Sequence, residues 1–179
     1  MIYLGENEMG CDASSIGFPS IDNCRAIVMV TGGGLIGFHL FGTLEKKKAN
    51  FVTYFEGQPH SVDKRTLYIV TKMSVQVKAN FLEEARSIAT ALNFAGPVYL
   101  ADVTSYGTRG VLVVFDNVSN HTCIVTARAW DDGVDGHKDN KVPYVGTGRG
   151  MAIGNARPTM FSQADETGLK AVYPTTLNP

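Results

Sequence analysis

The sequence is poor in the features that most readily assign a protein to a class. It has only three cysteines in 179 residues, Cys11, Cys24 and Cys123. An odd number cannot all pair within one chain, and their wide spacing fits neither a zinc site nor a disulfide framework. At least one thiol is therefore free. The charges nearly cancel, with 16 basic against 17 acidic residues and a formal charge of −1. That balance removes any global electrostatic reason to expect nucleic acid or an anionic membrane as partner. No run approaches the roughly 18 apolar residues of a membrane span, and the start MIYLGENEMG lacks the basic residues and apolar core of a signal peptide. The expectation is a soluble chain without a signal peptide, working in a reducing compartment such as a bacterial cytoplasm, or a host cytoplasm into which it is delivered. No repeat, low-complexity tract or linker divides it, so one domain over residues 1–179 is expected.

What is present points to a globular, turn-rich and partly β protein: 44% apolar residues, 18% charged residues and 19 glycines. Residues 1–23 are rich in Gly, Ser, Asp and Asn and read as loop, with one short strand at Ile2 to Leu4. The runs RAIVMV (Arg25 to Val30) and Leu35 to Phe41 have the length and β-branched content of buried strands, and Gly32, Gly33 and Gly34 between them make a hairpin turn. Lys46 to Lys48 read as a solvated basic turn. Asn50 to Glu56 alternates like a strand, and further strands are expected at Leu67 to Met73, Val75 to Val77, Val98 to Val103, Val111 to Phe115 and Cys123 to Ala129. Phe81, Leu82, Ala85, Ile88, Ala89 and Leu92 fall at helical spacing, with Asn80 and Glu83 in a capping-box pattern and Gly96-Pro97 as the stop. Beyond Asp131 the chain reads as mostly irregular, apart from Met151 to Ile153 and Leu169 to Tyr173. The sum is an α+β fold, a largely antiparallel β-sheet or β-sandwich flanked by at least one helix.

The stretch CRAIVMVTGGGLIGFH carries a thiol, Cys24, and an imidazole, His39, on the two arms of the expected hairpin. A cysteine nucleophile needs a base to take its proton and an acid to return it to the leaving group, and an imidazole does both. In an antiparallel pair, facing residues sum to a constant. A sum of 63 makes Cys24 face His39, while 65 makes His39 face Ala26 and lie diagonal to Cys24. Either odd sum places both side chains on one face, with Cβ atoms about 5–8 Å apart; an even sum or a bulge separates them. The other reading of the same residues is a small buried thiol and a hydrogen-bonded strand histidine.

A cysteine heading an apolar strand, a Gly-rich turn, and a histidine about fifteen residues on within GGLIGFH resemble the active-site core of the CheD chemoreceptor glutamine deamidases and the related cytotoxic necrotizing factor and lethal factor toxins. The resemblance spans residues 20–42. It implies a hydrolase acting on the side-chain amide of a glutamine in a partner protein, through a thioester, with Cys24 as nucleophile and His39 as acid/base, no cofactor and no metal, deployed as an effector or toxin domain. Two departures stand out: Asp22-Asn23 precede the cysteine where the family has a Ser-Gly or Gly-Ser pair, and Phe18 lies near the position of a histidine-orienting threonine. Ser20, or a backbone carbonyl from residues 1–20, is the replacement to look for. Backbone N–H groups at Cys24 and a neighbouring loop would hold the oxyanion. Transglutamination or thiol-dependent peptide cleavage would use the same pair. A reading from a different class is a non-catalytic β-rich binding or structural domain. Thiol acidity separates them, because a resting nucleophile is more reactive near neutral pH than a structural cysteine.

Other motifs carry less. Thr31-Gly-Gly-Gly is followed by neither Lys-Ser nor a helix, so it is a turn rather than a phosphate loop. Asp131 to Asp139 lacks the ligand spacing of a calcium loop. His60, His121 and His137 show no metal-ligand spacing, His121 and Cys123 share a strand without support for a nucleophile, and Trp130 reads as a packing residue.

Overall fold

The two apolar runs joined by glycines form the middle of the larger of two sheets. The structure, a computed structural model, describes residues 1–42, 44–45, 47–73, 78–119, 121–131, 141–143, 149–151, 159–161 and 167–177. Strand β4 (Cys24–Thr31) and strand β5 (Gly34–Phe41) pair antiparallel around a two-residue turn at Gly32-Gly33. Gly34 has φ +132°, and a Cβ there would lie 2.7 Å from both Ala13 Cα and Asp12 O, so the turn needs glycine for both backbone angle and space.

On one side β4 pairs with β6 (Lys64–Thr71), and β6 pairs in parallel with β7 (Val98–Asp102). On the other, β5 pairs with β2 (Glu8–Asp12). Short strands β11 (Arg149–Met151) and β14 (Thr175–Thr176) complete seven strands in the order β11-β2-β5-β4-β6-β7-β14. The second sheet has five, β1 (Ile2–Tyr3), β3 (Ser15–Ile21), β8 (Gly110–Ser119), β9 (Thr122–Trp130) and β13 (Lys170–Val172). β10 (Lys141–Pro143) and β12 (Thr159–Phe161) form a separate pair.

The sheets pack face to face, and helices α1 (Lys48–Glu56) and α2 (Lys78–Ala91) cover the outer face of the larger one. Alternation along each strand explains the layering. Cys24, Ala26, Val28 and Val30 of β4 point between the sheets with Phe18, Val113 and Phe115, whereas Ile27 and Met29 meet Phe51, Phe55, Phe81 and Ile88 of the helices. Because both faces of β4 and β5 are buried, their sequences read as continuous apolar runs. The α+β expectation holds.

Five local expectations are corrected. Residues 1–23 contain three strands, since β2 and β3 each find a partner ladder remote in sequence. Asn50 to Glu56 lies in helix α1: Phe51 and Phe55 are four residues apart and fit a helix face as well as a strand, and Phe51 stacks on Phe38 at 5.0 Å between centroids. Asn80 is inside α2, which begins two residues earlier, so it is no N-cap. That helix ends at Ala91, and Asn93, with a left-handed φ of 47°, lets Phe94 N–H reach Ala89 O at 2.9 Å, before Gly96-Pro97. Short strands also occur beyond Asp131. Val75 to Val77, Ile153, His137 and the segment 132–139 lie outside the described residues.

Candidate active site

The β4–β5 ladder pairs Ala26 with His39 and Cys24 with Phe41. Facing residues therefore sum to 65, the diagonal odd register, and thiol and imidazole share the face that points between the sheets. Both are buried, His39 at 0% and Cys24 at 1% exposure. Phe18 from β3 sets its ring edge-on to the imidazole, 5.8 Å away and inclined 74°. Gly37, two residues before His39, leaves the space that the Phe18, Ile16 and Leu4 side chains occupy; a Cβ there would meet each at 3.1 Å.

The group that orients His39 is the backbone carbonyl of Leu4, 2.7 Å from Nδ1. A carbonyl only accepts, so Nδ1 carries the hydrogen and Nε2 the lone pair. Nε2 is buried and, among the described residues, has no hydrogen-bond partner. Burial drives the imidazole pKa down to about 4, against a smaller opposing effect of the Leu4 bond, so the ring is neutral at pH 7.

The thiol lies at the end of β4 under an exposed turn. Cys24 Sγ donates to Glu6 Oε1 across 3.9 Å, and the Asp22 backbone N–H is hydrogen-bonded to the sulfur. Burial first, and the Glu6 carboxylate second, push the thiol up to about 12, while the Asp22 N–H and the Arg25 guanidinium pull it the other way. The direction is opposite to that of a resting thiolate, because the residues that cover Cys24 withhold water and add a negative charge.

One short segment, Leu4 to Asn7, thus touches every part of the pair. Asn7 has a left-handed φ of 61°, donates its N–H to His39 O at 2.7 Å, and accepts from Phe41 N–H at 3.3 Å. Lys47 Nζ donates to Asn7 Oδ1 at 2.6 Å and to Phe41 O, and sits 5.7 Å from the centroid of the Phe41 ring. It is close enough to Cys24 and Glu6 that both favour its charged form, although burial has the larger effect and lowers its pKa. Lys47 is consequently no solvated turn residue, and Lys48 opens α1 and bonds Glu45 and Ser87. On the opposite face of β4, Arg25 pairs with Glu84 of α2 at 2.7 Å. A hollow of about 700 Å³ lies beside them, lined in part by Asn23, Phe41, Leu44 and Glu83.

The other sequence candidates among the described residues are not brought to this site. Cys11 Sγ donates to Gln58 Oε1 at 3.5 Å. Cys123 is pushed up to about 12 by burial, with Asp116 adding to it, and its N–H bonds Tyr68 Oη. The His121 ring meets Arg65 at 3.4 Å, and Trp130 is buried with Tyr3, Leu112 and Val114. Ser20 lies against Gly110 in a left-handed conformation. Among the described residues no group of three or more His, Cys, Asp or Glu side chains converges as a metal site, and no helix is long and apolar enough to cross a membrane.

No family model matches the chain, and no curated protein matches it.

Glu6 and Lys47 are the groups around the thiol that sequence reasoning missed. The Leu4 carbonyl falls within one of the two replacements named from the sequence for a histidine-orienting group, Ser20 or a backbone carbonyl from residues 1–20.

Proposed function

We propose that the protein is a Cys/His-dependent glutamine deamidase acting on a partner protein. The observation that carries this reading is the Leu4-locked tautomer of His39, which leaves a buried, unpartnered Nε2 lone pair on the face shared with Cys24. An orphaned buried nitrogen is costly unless something uses it. A neutral base that has yet to meet its proton donor is the state from which catalysis starts.

The substrate carboxamide enters at Glu6 and displaces it from the sulfur. A change of Cys24 rotamer then turns the thiol toward His39, whose Nε2 takes the proton as sulfur bonds the amide carbon. The imidazolium returns that proton to nitrogen, the C–N bond breaks, and ammonia leaves a thioester. Water activated by the same Nε2 cleaves the C–S bond, giving glutamate and the free thiol. No cofactor enters these steps.

The test is incubation of the full chain with glutamine-bearing proteins and peptides, followed by mass spectrometry. A gain of about one mass unit per converted amide, lost in Cys24→Ser and His39→Asn, is the expected outcome. Conversion that persists in Cys24→Ser refutes the mechanism. A second reading, a non-catalytic β-rich binding or structural domain, is favoured by the 1% exposure of Cys24 and its raised pKa. Under that reading no amide is converted, and Cys24→Ala leaves every binding property intact.

A further inference from the structure

The mouth of the Cys24 site presents two charged groups of opposite sign, Glu6 beside the thiol and Lys47 bonded to the ladder partner of Cys24. Glu6 is exposed and places Oε1 3.9 Å from Sγ, as a pure acceptor. Lys47 is half-buried and tied to the same spot by Asn7 Oδ1 and Phe41 O, Phe41 being the ladder partner of Cys24. An ammonium has three N–H bonds, and among the described residues these two acceptors leave one. A primary carboxamide is the complement of this pair, because its NH2 only donates and its C=O only accepts. A carboxylate would meet Glu6 with like charge, and an ester would leave Glu6 without its hydrogen bond.

We propose that Glu6 and Lys47 are the carboxamide-reading residues of the Cys24 site, with the Glu6 carboxylate accepting from the substrate NH2 and the Lys47 ammonium donating to its carbonyl oxygen. The assignment rests on the deamidase reading and deepens it. As sulfur bonds the amide carbon, the carbonyl π pair moves onto oxygen, where Lys47 offsets the developing charge. Glu6 holds the nitrogen that leaves as ammonia once the imidazolium has protonated it. After water has cleaved the thioester, the new carboxylate faces Glu6 and is expelled. Burial lowers the Lys47 pKa and the Glu6 carboxylate opposes it, which fits two charges held near each other at the mouth of the site.

The test uses two alkylating probes on the full chain, iodoacetamide and N,N-dimethyl-iodoacetamide, which differ in the N–H donors that Glu6 would read. Rates at Cys24 are followed by peptide mass spectrometry, with Cys11 as the internal reference for steric differences. The primary amide should be preferred at Cys24 by about tenfold more than at Cys11, as expected of a site built to hydrogen-bond a group that the analogue lacks. Glu6→Ala should abolish that excess while Glu6→Gln, which retains an acceptor, keeps part of it. Lys47→Met should slow deamidation and Lys47→Arg restore it. An equal preference at the two cysteines, or an excess that survives Glu6→Ala, overturns the assignment. Glutamine conversion in which Glu6→Ala and Lys47→Met stay within about twofold of the unsubstituted chain also overturns it while leaving the deamidase intact. An excess preference without glutamine conversion has the opposite meaning: Cys24 reads carboxamides, and the deamidase reading fails.

Discussion

Lowering the pH from 7 to 4 should destabilise this protein through a single buried side chain. The His39 pKa falls from 6.5 to about 4 on folding, because the ring is enclosed between the sheets and its charged form is denied water. Between those two values the unfolded chain binds a proton that the folded chain does not. Stability is therefore fully present above about pH 6.5 and is lost as pH falls toward the folded value. At 1.36 kcal/mol per unit the loss reaches about 3 kcal/mol by pH 4, a sizeable share of a total stability of roughly 5–15 kcal/mol. Asp12 and Asp102, both held below 3.8 by hydrogen bonds that outweigh their desolvation, stabilise the fold above 3.8 and lose that contribution only at lower pH. Their window lies beneath that of His39. The measurement is a series of urea melts between pH 7 and 4 on the native chain and on His39→Asn, whose side-chain N–H can still donate to Leu4 O. The native unfolding free energy should fall by about 3 kcal/mol across the series, and the variant, less stable at neutral pH, should show a shallower slope. Parallel slopes would mean that His39 is charged or hydrated in the folded state, and no neutral imidazole would then wait between the sheets.

Two further outcomes follow from the same geometry. Alkylation of Cys24 by iodoacetamide should rise about tenfold per pH unit between pH 7 and 10 with no plateau, because its thiol is pushed up to about 12; a plateau below pH 9 would show a thiolate already present. Phe51→Ala should cost about 3–5 kcal/mol in urea unfolding, since its buried ring stacks on Phe38 and meets Phe55 edge-on at 6.3 Å. A loss below 1 kcal/mol would show that α1 does not close the core.

The pair at the centre of the site is neutral on both sides at rest. Burial disfavours both the thiolate and the imidazolium, and Glu6 adds to the effect at the thiol, so the resting state avoids a buried ion pair. A thiol kept buried and protonated is protected from solvent oxidants.

The hairpin was legible from local chemistry alone: two apolar runs of strand length, three glycines, and a period of two that forces Cys24 and His39 onto one face at any odd register. The stripe of Phe81, Ala85, Ile88 and Leu92 was likewise enough for α2. Which odd register is adopted, by contrast, depends on turn geometry and on the partner strands on either side, and only the assembled sheet settles the sum at 65. The spacing of Phe51 and Phe55 satisfies a strand and a helix equally, and packing against Phe38 decides for the helix. Residues 1–23 look like loop because strands of Gly, Ser and Asp owe their order to ladders with β5 and β8, which are distant in sequence. For the same reason Leu4, Glu6 and Asn7 bear no local mark of their place around the thiol and imidazole. Hydrogen bonds across 35 residues, such as that between Leu4 and His39, are made by the fold and leave no periodicity for a sequence to display.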